Sequence, residues 1–151
     1  MRRETHNRIQ VMHGVNLDML GARPAEHYGN LNLEELELQV KRHARELDLD
    51  SRFFNTNHEG EFVEHLHRLP GLADAVLLNP GAWTHYSWAI RDALEITGLP
   101  AVEVHLSDVD AREEWSRRSV LEGVVIGAVA GQGPDGYREG LGMLKEALRR
   151  H

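Results

Sequence analysis

Short apolar, β-branched runs alternating with helical stretches constrain this chain more than any other feature of it. The runs are Ile9–Met12, a weaker Arg52–Phe54, Ala75–Leu78, Ala101–His105 and Val124–Val129. A strand with one wet face would place a polar residue at every second position. These runs are mostly continuous, as in parallel strands covered on both faces. Between them, Leu36, Val40, Ala44 and Leu47 recur at three- and four-residue spacing and predict a helix over Leu33–Leu47. Asn32 caps it, with Glu35 three residues on to close a capping box. A shorter helix over Glu61–Leu69 stops before Pro70-Gly71, and another over His85–Thr97 ends at Gly98 with Pro100 beyond it. The last opens at Asp135 or Gly136 and runs to the C-terminus.

Strands alternating with helices imply right-handed βαβ units and a parallel sheet. The expected fold class is therefore α/β, a flavodoxin-like doubly wound five-stranded parallel sheet with helices on both faces. No repeat, low-complexity run or Pro/Ser linker divides the sequence, so residues 1–151 read as one domain with a flexible tail over 1–7. A net charge of -7 argues against a nucleic-acid partner, which would need a basic face. With no cysteine, disulfides and thiolate metal sites are excluded. No apolar stretch is long enough for a signal peptide or membrane span, so the expected location is the cytoplasm, with no membrane partner. Of ten histidines, His43, His65 and His67 lie in charged helical surroundings and are expected to face water, while His6 and His151 belong to frayed ends. None of these pairs into a metal-ligand pattern.

In doubly wound sheets ligands bind at the carboxyl ends of the strands. Three strand ends here carry polar clusters. The first run is followed by a connection from His13 to Gly29, long by the usual ~2–6 residues for a strand-to-helix loop. It has glycines at 21 and 29 as possible hinges, no strong apolar anchor in its middle, and both Arg23 and Tyr28. A guanidinium near a phenol stabilises phenolate against a reference pKa of about 10, which suits a base for a carbon acid. The alternative for this pair is a tyrosine that packs the loop down beside a solvated arginine. Glu103 and His105 lie two apart on a strand and share one face. A carboxylate beside an imidazole fixes its tautomer and favours the charged ring, as a general acid requires; the plainer reading is a satisfied polar pair at a sheet edge. The Leu106 and Ser107 amides, with Asn79, His85 and Arg112, supply donors for a ligand with a carboxylate and several hydroxyls.

Five segments in order resemble the type II 3-dehydroquinate dehydratase family, from about Ile9 to Leu148. HGVNLDMLGARPAEHYG is similar to the family lid motif N-G-P-N-L-N-x-L-G-x-R-x-P-x-x-Y-G, and NTNHEGEFVEHLH to its Q-S-N-H-E-G segment. NPGAWTHYSWAIRDAL, VEVHLSDVDAREEWSRRSV and GAVAGQGPDGY resemble the remaining three. The resemblance implies a cofactor-free, metal-free hydro-lyase that dehydrates 3-dehydroquinate to 3-dehydroshikimate through an enolate, in shikimate biosynthesis or quinate breakdown. It implies Tyr28 as base with Arg23 favouring its phenolate, Asn16 near the enolate through a water, and His105, oriented by Glu103, as acid. Asn79, His85, Leu106, Ser107 and Arg112 would hold the substrate, joined by Asp92 from a neighbouring subunit. A homo-oligomer, a dodecamer built from trimers, is implied as well.

Departures from the pattern are specific. His13 stands for Asn, Val15 for Pro, Asp18 for Asn, and Asn55 for Gln. Tyr86 and Trp88 fill places commonly held by Thr and a small apolar residue, Asp108 and Asp110 replace Asn and usually His, and Pro24 follows Arg23 directly, restricting its backbone. Positions 13, 15, 86 and 88 motivate a second reading, a dehydratase for a modified dehydroquinate such as an amino analogue. A third is a non-catalytic small-molecule-binding module. No phosphate-cradling loop and no acidic cluster follow the first run, which argues against a flavodoxin proper and a receiver domain.

Overall fold

The computed structural model describes residues 6–22, 31–107 and 118–150. Five strands form one parallel sheet: β1 (Arg8–His13), β2 (Asp50–Asn55), β3 (Ala75–Asn79), β4 (Ala101–Val104) and β5 (Gly127–Val129), in the order β2-β1-β3-β4-β5. The helices are α1 (Leu33–Glu46), α2 (Glu59–Arg68), α3 (Trp88–Thr97) and α4 (Asp135–Arg149). This is the flavodoxin-like doubly wound order, with ligand space expected at the strands' carboxyl ends. Among the described residues, no helix is long and apolar enough to cross a membrane.

Alternation within the strands builds two cores. Ile9, Val11, Ala75, Leu77, Val102, Val104 and Val129 face α1 and α4, meeting Leu36, Val40, Ala44, Tyr137, Leu141 and Leu144. Met12, Val76, Leu78 and Ala101 face the other way, against Phe62 and Leu66 of α2 and Ile90, Ala93 and Leu94 of α3. Burying one such side chain fully stabilises by roughly 1.5–3 kcal/mol relative to leaving it in water.

The capping box on α1 forms as its sequence requires: the Asn32 side chain accepts from the Glu35 amide at 2.8 Å, and the Glu35 carboxylate accepts from the Asn32 amide at 3.3 Å. Other bounds shift for local reasons. The helix expected from His85 begins at Trp88, because Gly81–His85 forms a 3-10 turn and the Ser87 hydroxyl caps Ile90 at 3.1 Å. The strand expected from Val124 begins at Gly127; residues 121–125 turn instead, with the Val124 and Val125 amides both donating to the Leu121 carbonyl. The Arg91 guanidinium holds that turn by donating to the carbonyls of Val120 and Glu122. β4 ends at Val104 rather than at His105, whose amide nevertheless donates to Val129 at 2.8 Å. At the N-terminus, the Asp50 amide donates to the Asn7 carbonyl at 2.8 Å.

Two histidines expected in water are half-buried. His65 stacks on Phe54 with centroids 3.8 Å apart, and burial, with the Arg68 charge adding, lowers its pKa. His43 is also partly covered, its side chain only 15% exposed. Helical spacing alone does not separate a solvated position from one at the rim of the apolar face. His67 is exposed as expected.

Candidate active site

The loops after β1 and β3 are pressed together by two glycines. A Cβ on Gly14 would lie 2.3 Å from the Pro80 carbonyl oxygen, and one on Gly81 (φ +68°) would lie 2.5 Å from the Val15 carbonyl oxygen. No other residue permits either approach. The contact sets Asn16, at the end of β1, beside the loop that begins at Asn79. Asn16 itself is left-handed (φ 68°), a conformation asparagine tolerates. Its amide donates to Asn57 Oδ1 at 2.8 Å, and Asn57 in turn donates to Asp18 at 3.0 Å. A 3-10 turn over Leu17–Met19 follows, with Leu17 and Leu20 buried in the α1/α4 core. The first half of this long connection therefore has apolar anchors, while residues 23–30 lie outside the described residues.

At the end of β3, Asn79 is buried, and its Oδ1 accepts from the Gly81 amide at 3.1 Å. Across β4, the Glu103 side chain points to the α3 side of the sheet, while Asn79 lies on the α4 side beside Tyr137. The two thus approach the carboxyl edge from opposite faces. Glu103 is 2% exposed and its carboxylate is fully engaged. It accepts from His105 Nε2 at 2.6 Å, from the Ser119 hydroxyl at 2.7 Å and from the Thr84 hydroxyl. Burial alone pushes the Glu103 carboxyl up, but hydrogen bonds from His105, Thr84 and Ser119, with the His105 charge, outweigh it and hold the pKa below the ordinary carboxylate range. An ionised carboxylate only accepts, so Nε2 of His105 carries hydrogen. Nδ1 is left as the nitrogen that can give or take a proton.

These groups line a cavity of about 490 Å³ together with His85, Arg118 and the β5 residues Gly127, Ala128 and Val129. The His85 Nδ1–H donates to the Arg118 carbonyl at 2.7 Å, and the Val120 amide donates to the Thr84 carbonyl at 2.7 Å. Segment 118–121 is thereby stitched to 84–85. The carbonyls of Leu106 and Ser107 accept from the amides of Gly133 and Gly131, at 3.0 and 3.1 Å. Among the described residues, no group of three or more His, Asp or Glu side chains is placed to hold a metal ion. A half-buried, oriented imidazole lining a cavity can deliver a proton to a leaving group, with its charge balanced by Glu103.

Residues 7–145 match the family model described as dehydroquinase class II. The chain belongs to that family. A protein named 3-dehydroquinate dehydratase from Carboxydothermus hydrogenoformans is 46% identical over 143 residues, covering 95% of this chain and 93% of that one. One of the same name from Desulforudis audaxviator is 44% identical over 143 residues, covering 95% of each. The crystal structure of a type II dehydroquinase from Butyrivibrio crossotus superposes with a TM-score of 0.89 at 38% identity, covering 92% of this chain and 97% of that one.

Within the class II dehydroquinase fold, Asn16, Asn79, His85, Glu103, His105, Leu106 and Ser107 lie at or just beyond the carboxyl ends of β1, β3 and β4, and of these His85, Glu103 and His105 line the cavity. Arg23, Tyr28 and Arg112 lie outside the described residues. Asp92 is exposed on α3 and does not line the cavity of its own chain. Of the departures from the family pattern, His13 is fully buried, Val15 packs partly against the α2/α3 core, and Tyr86 and Trp88 are exposed. Sequence reasoning missed Thr84 and Ser119 as partners of Glu103. Thr84 sits inside the N-P-G-A-W-T-H segment, but nothing marks it as a donor. Ser119 lies 16 residues after Glu103, and no local pattern announces their contact.

Proposed function

We propose that this class II dehydroquinase catalyses the dehydration of 3-dehydroquinate to 3-dehydroshikimate. The observation that carries the reading is the contact of buried Glu103 with His105, at 2.6 Å, on the wall of a cavity at the strands' carboxyl ends. Glu103 holds Nε2–H, so the acidic proton of the charged ring is on Nδ1. Tyr28 as phenolate, favoured by Arg23, takes a proton from the carbon next to the substrate ketone. The carbon–hydrogen electron pair then moves into an enolate, near Asn16. As the enolate collapses, the carbon–oxygen bond of the β-hydroxyl breaks and His105 Nδ1 gives its proton to the departing oxygen, which leaves as water. Tyr28 is left protonated and His105 neutral, and exchange with solvent resets both. Asn79, His85, Leu106, Ser107 and Arg112 hold the carboxylate and hydroxyls of the substrate. The reaction serves either shikimate biosynthesis or quinate breakdown, in the cytoplasm.

The chain also acts as a homo-oligomer, a dodecamer built from trimers, with Asp92 entering a neighbour's site. Two features support this. Asp92 stands between Trp88 and Ile96, one turn away on either side, and those apolar side chains are 62% and 71% exposed. The cavity beside His105 is bounded on one side by β5, the last strand of the sheet, where Ala128 is itself exposed.

Replacing the acid or the base tests the chemistry. His105→Ala and Tyr28→Phe each lose ~10²–10⁴-fold in kcat if an acid–base step is removed. Purified, folded His105→Ala with turnover equal to the wild type would contradict the role of that residue, and Tyr28→Phe tests the base in the same way.

A further inference from the structure

His13, at the end of the interior strand β1, is 0% exposed, yet it is a polar ring with both nitrogens engaged. Its Nδ1 lies 3.2 Å from the Glu37 carboxylate of α1, and its Nε2 lies 2.9 Å from the Tyr137 hydroxyl of α4. The two rings pack at 5.6 Å with a 47° tilt. Tyr137, also 0% exposed, is within 3.5 Å of the Asn79 amide nitrogen. In the sheet register His13 stands directly beside Asn79 on β3 and beside Asn55 on β2. Four polar groups from β1, β3, α1 and α4 therefore meet behind the carboxyl edge, in a place otherwise packed with apolar side chains.

Donor and acceptor counting gives this set a single direction. The Asn79 carbonyl is taken by the Gly81 amide, so toward Tyr137 the Asn79 amide nitrogen can only donate. The one hydrogen of the Tyr137 hydroxyl then goes to His13 Nε2. Burial, opposed by the Asn79 hydrogen bond and helped by the Glu37 charge, holds that hydroxyl well above the ordinary phenol range, so it remains a donor. With Nε2 accepting, the neutral His13 ring carries its hydrogen on Nδ1 and donates to Glu37. One Asn79 N–H remains to donate to a ligand.

We propose that His13 and Tyr137 are positioning residues, anchored by Glu37, that fix the orientation of the Asn79 amide for substrate binding. The inference rests on the reading of the site as one for 3-dehydroquinate in which Asn79 is a binding group. A role through binding predicts a change in KM with kcat largely kept, because neither residue touches the reacting atoms.

The test is steady-state kinetics on 3-dehydroquinate for Tyr137→Phe, His13→Leu and His13→Gln beside the wild type, with a melting temperature for each. Tyr137→Phe keeps the ring and removes only the hydroxyl. It and His13→Leu are expected to raise KM about tenfold, with kcat changed less than about threefold, as expected for one misdirected buried hydrogen bond. His13→Gln, whose carbonyl can accept the Tyr137 hydrogen, brings KM back toward the wild type. A merely structural role would lower the melting temperatures and leave KM alone. Wild-type turnover with KM within about twofold in folded Tyr137→Phe and His13→Leu would overturn the inference alone. Absence of wild-type turnover would overturn the functional reading, and the inference with it.

Discussion

At the residue scale the site turns on Glu103. A buried carboxylate without donors would be protonated and useless as a partner for a charged imidazole. Here Thr84, Ser119 and His105 supply donors, and the carboxyl stays ionised below its ordinary range. Glu103→Gln keeps one acceptor oxygen but turns an NH2 toward groups that themselves donate. We expect kcat to fall about 10–100-fold with KM little changed, a part of the ~10²–10⁴ that an acid–base step supplies. The same substitution has a signature in stability. Because the folded pKa of Glu103 lies below its reference value of 4.5, its ionisation stabilises the fold fully above that pH. That contribution fades as pH falls below 4.5 and is gone once pH passes the lowered folded value. Denaturant unfolding at pH 7 and pH 4 should show a larger loss in the wild type than in Glu103→Gln; equal losses would contradict the ionised assignment. The Glu103–His105 pairing was legible in the sequence because two-residue spacing on a strand puts both side chains on one face. The partners were not, since Thr84 and Ser119 lie 19 and 16 residues from Glu103 and no periodicity joins them to β4. The His13 set was illegible for a similar reason: Glu37 and Tyr137 lie 100 residues apart, on helices that meet on one face of the sheet.

At the element scale, strand and helix identities followed from period and capping, and the errors fall where local chemistry competes with apolarity. Val124, Val125 and Ile126 read as strand because they are β-branched, but the Arg91 guanidinium claims the carbonyls around them and the ladder starts at Gly127. His85 and Tyr86 read as helix, yet the Ser87 cap starts the helix later and leaves a 3-10 turn. That turn is what presents Thr84 to Glu103 and His85 to the cavity. The departures from regular structure therefore lie at the site itself, where backbone must leave a strand and reach a ligand.

At the scale of the whole molecule, the five-stranded doubly wound sheet was legible in the order of apolar runs, and its carboxyl edge gathers the described site residues from separate loops. What one chain's sequence pattern does not draw is a contact with another copy. The proposed sharing of Asp92 between subunits makes a prediction at this scale. Asp92→Asn and His105→Ala proteins, each depleted in activity, should regain part of it when their subunits are exchanged, because some sites then receive an intact member of each pair. Light scattering should show the same assembly for both. No recovery after verified exchange, or a fully active monomer, would contradict the shared site.

The central claim, that this family member dehydrates 3-dehydroquinate, is tested most directly by following ultraviolet absorbance of the conjugated enone as purified protein meets 3-dehydroquinate. The account predicts a rise whose rate saturates with substrate and scales with protein. A flat trace from folded, assembled protein would contradict it.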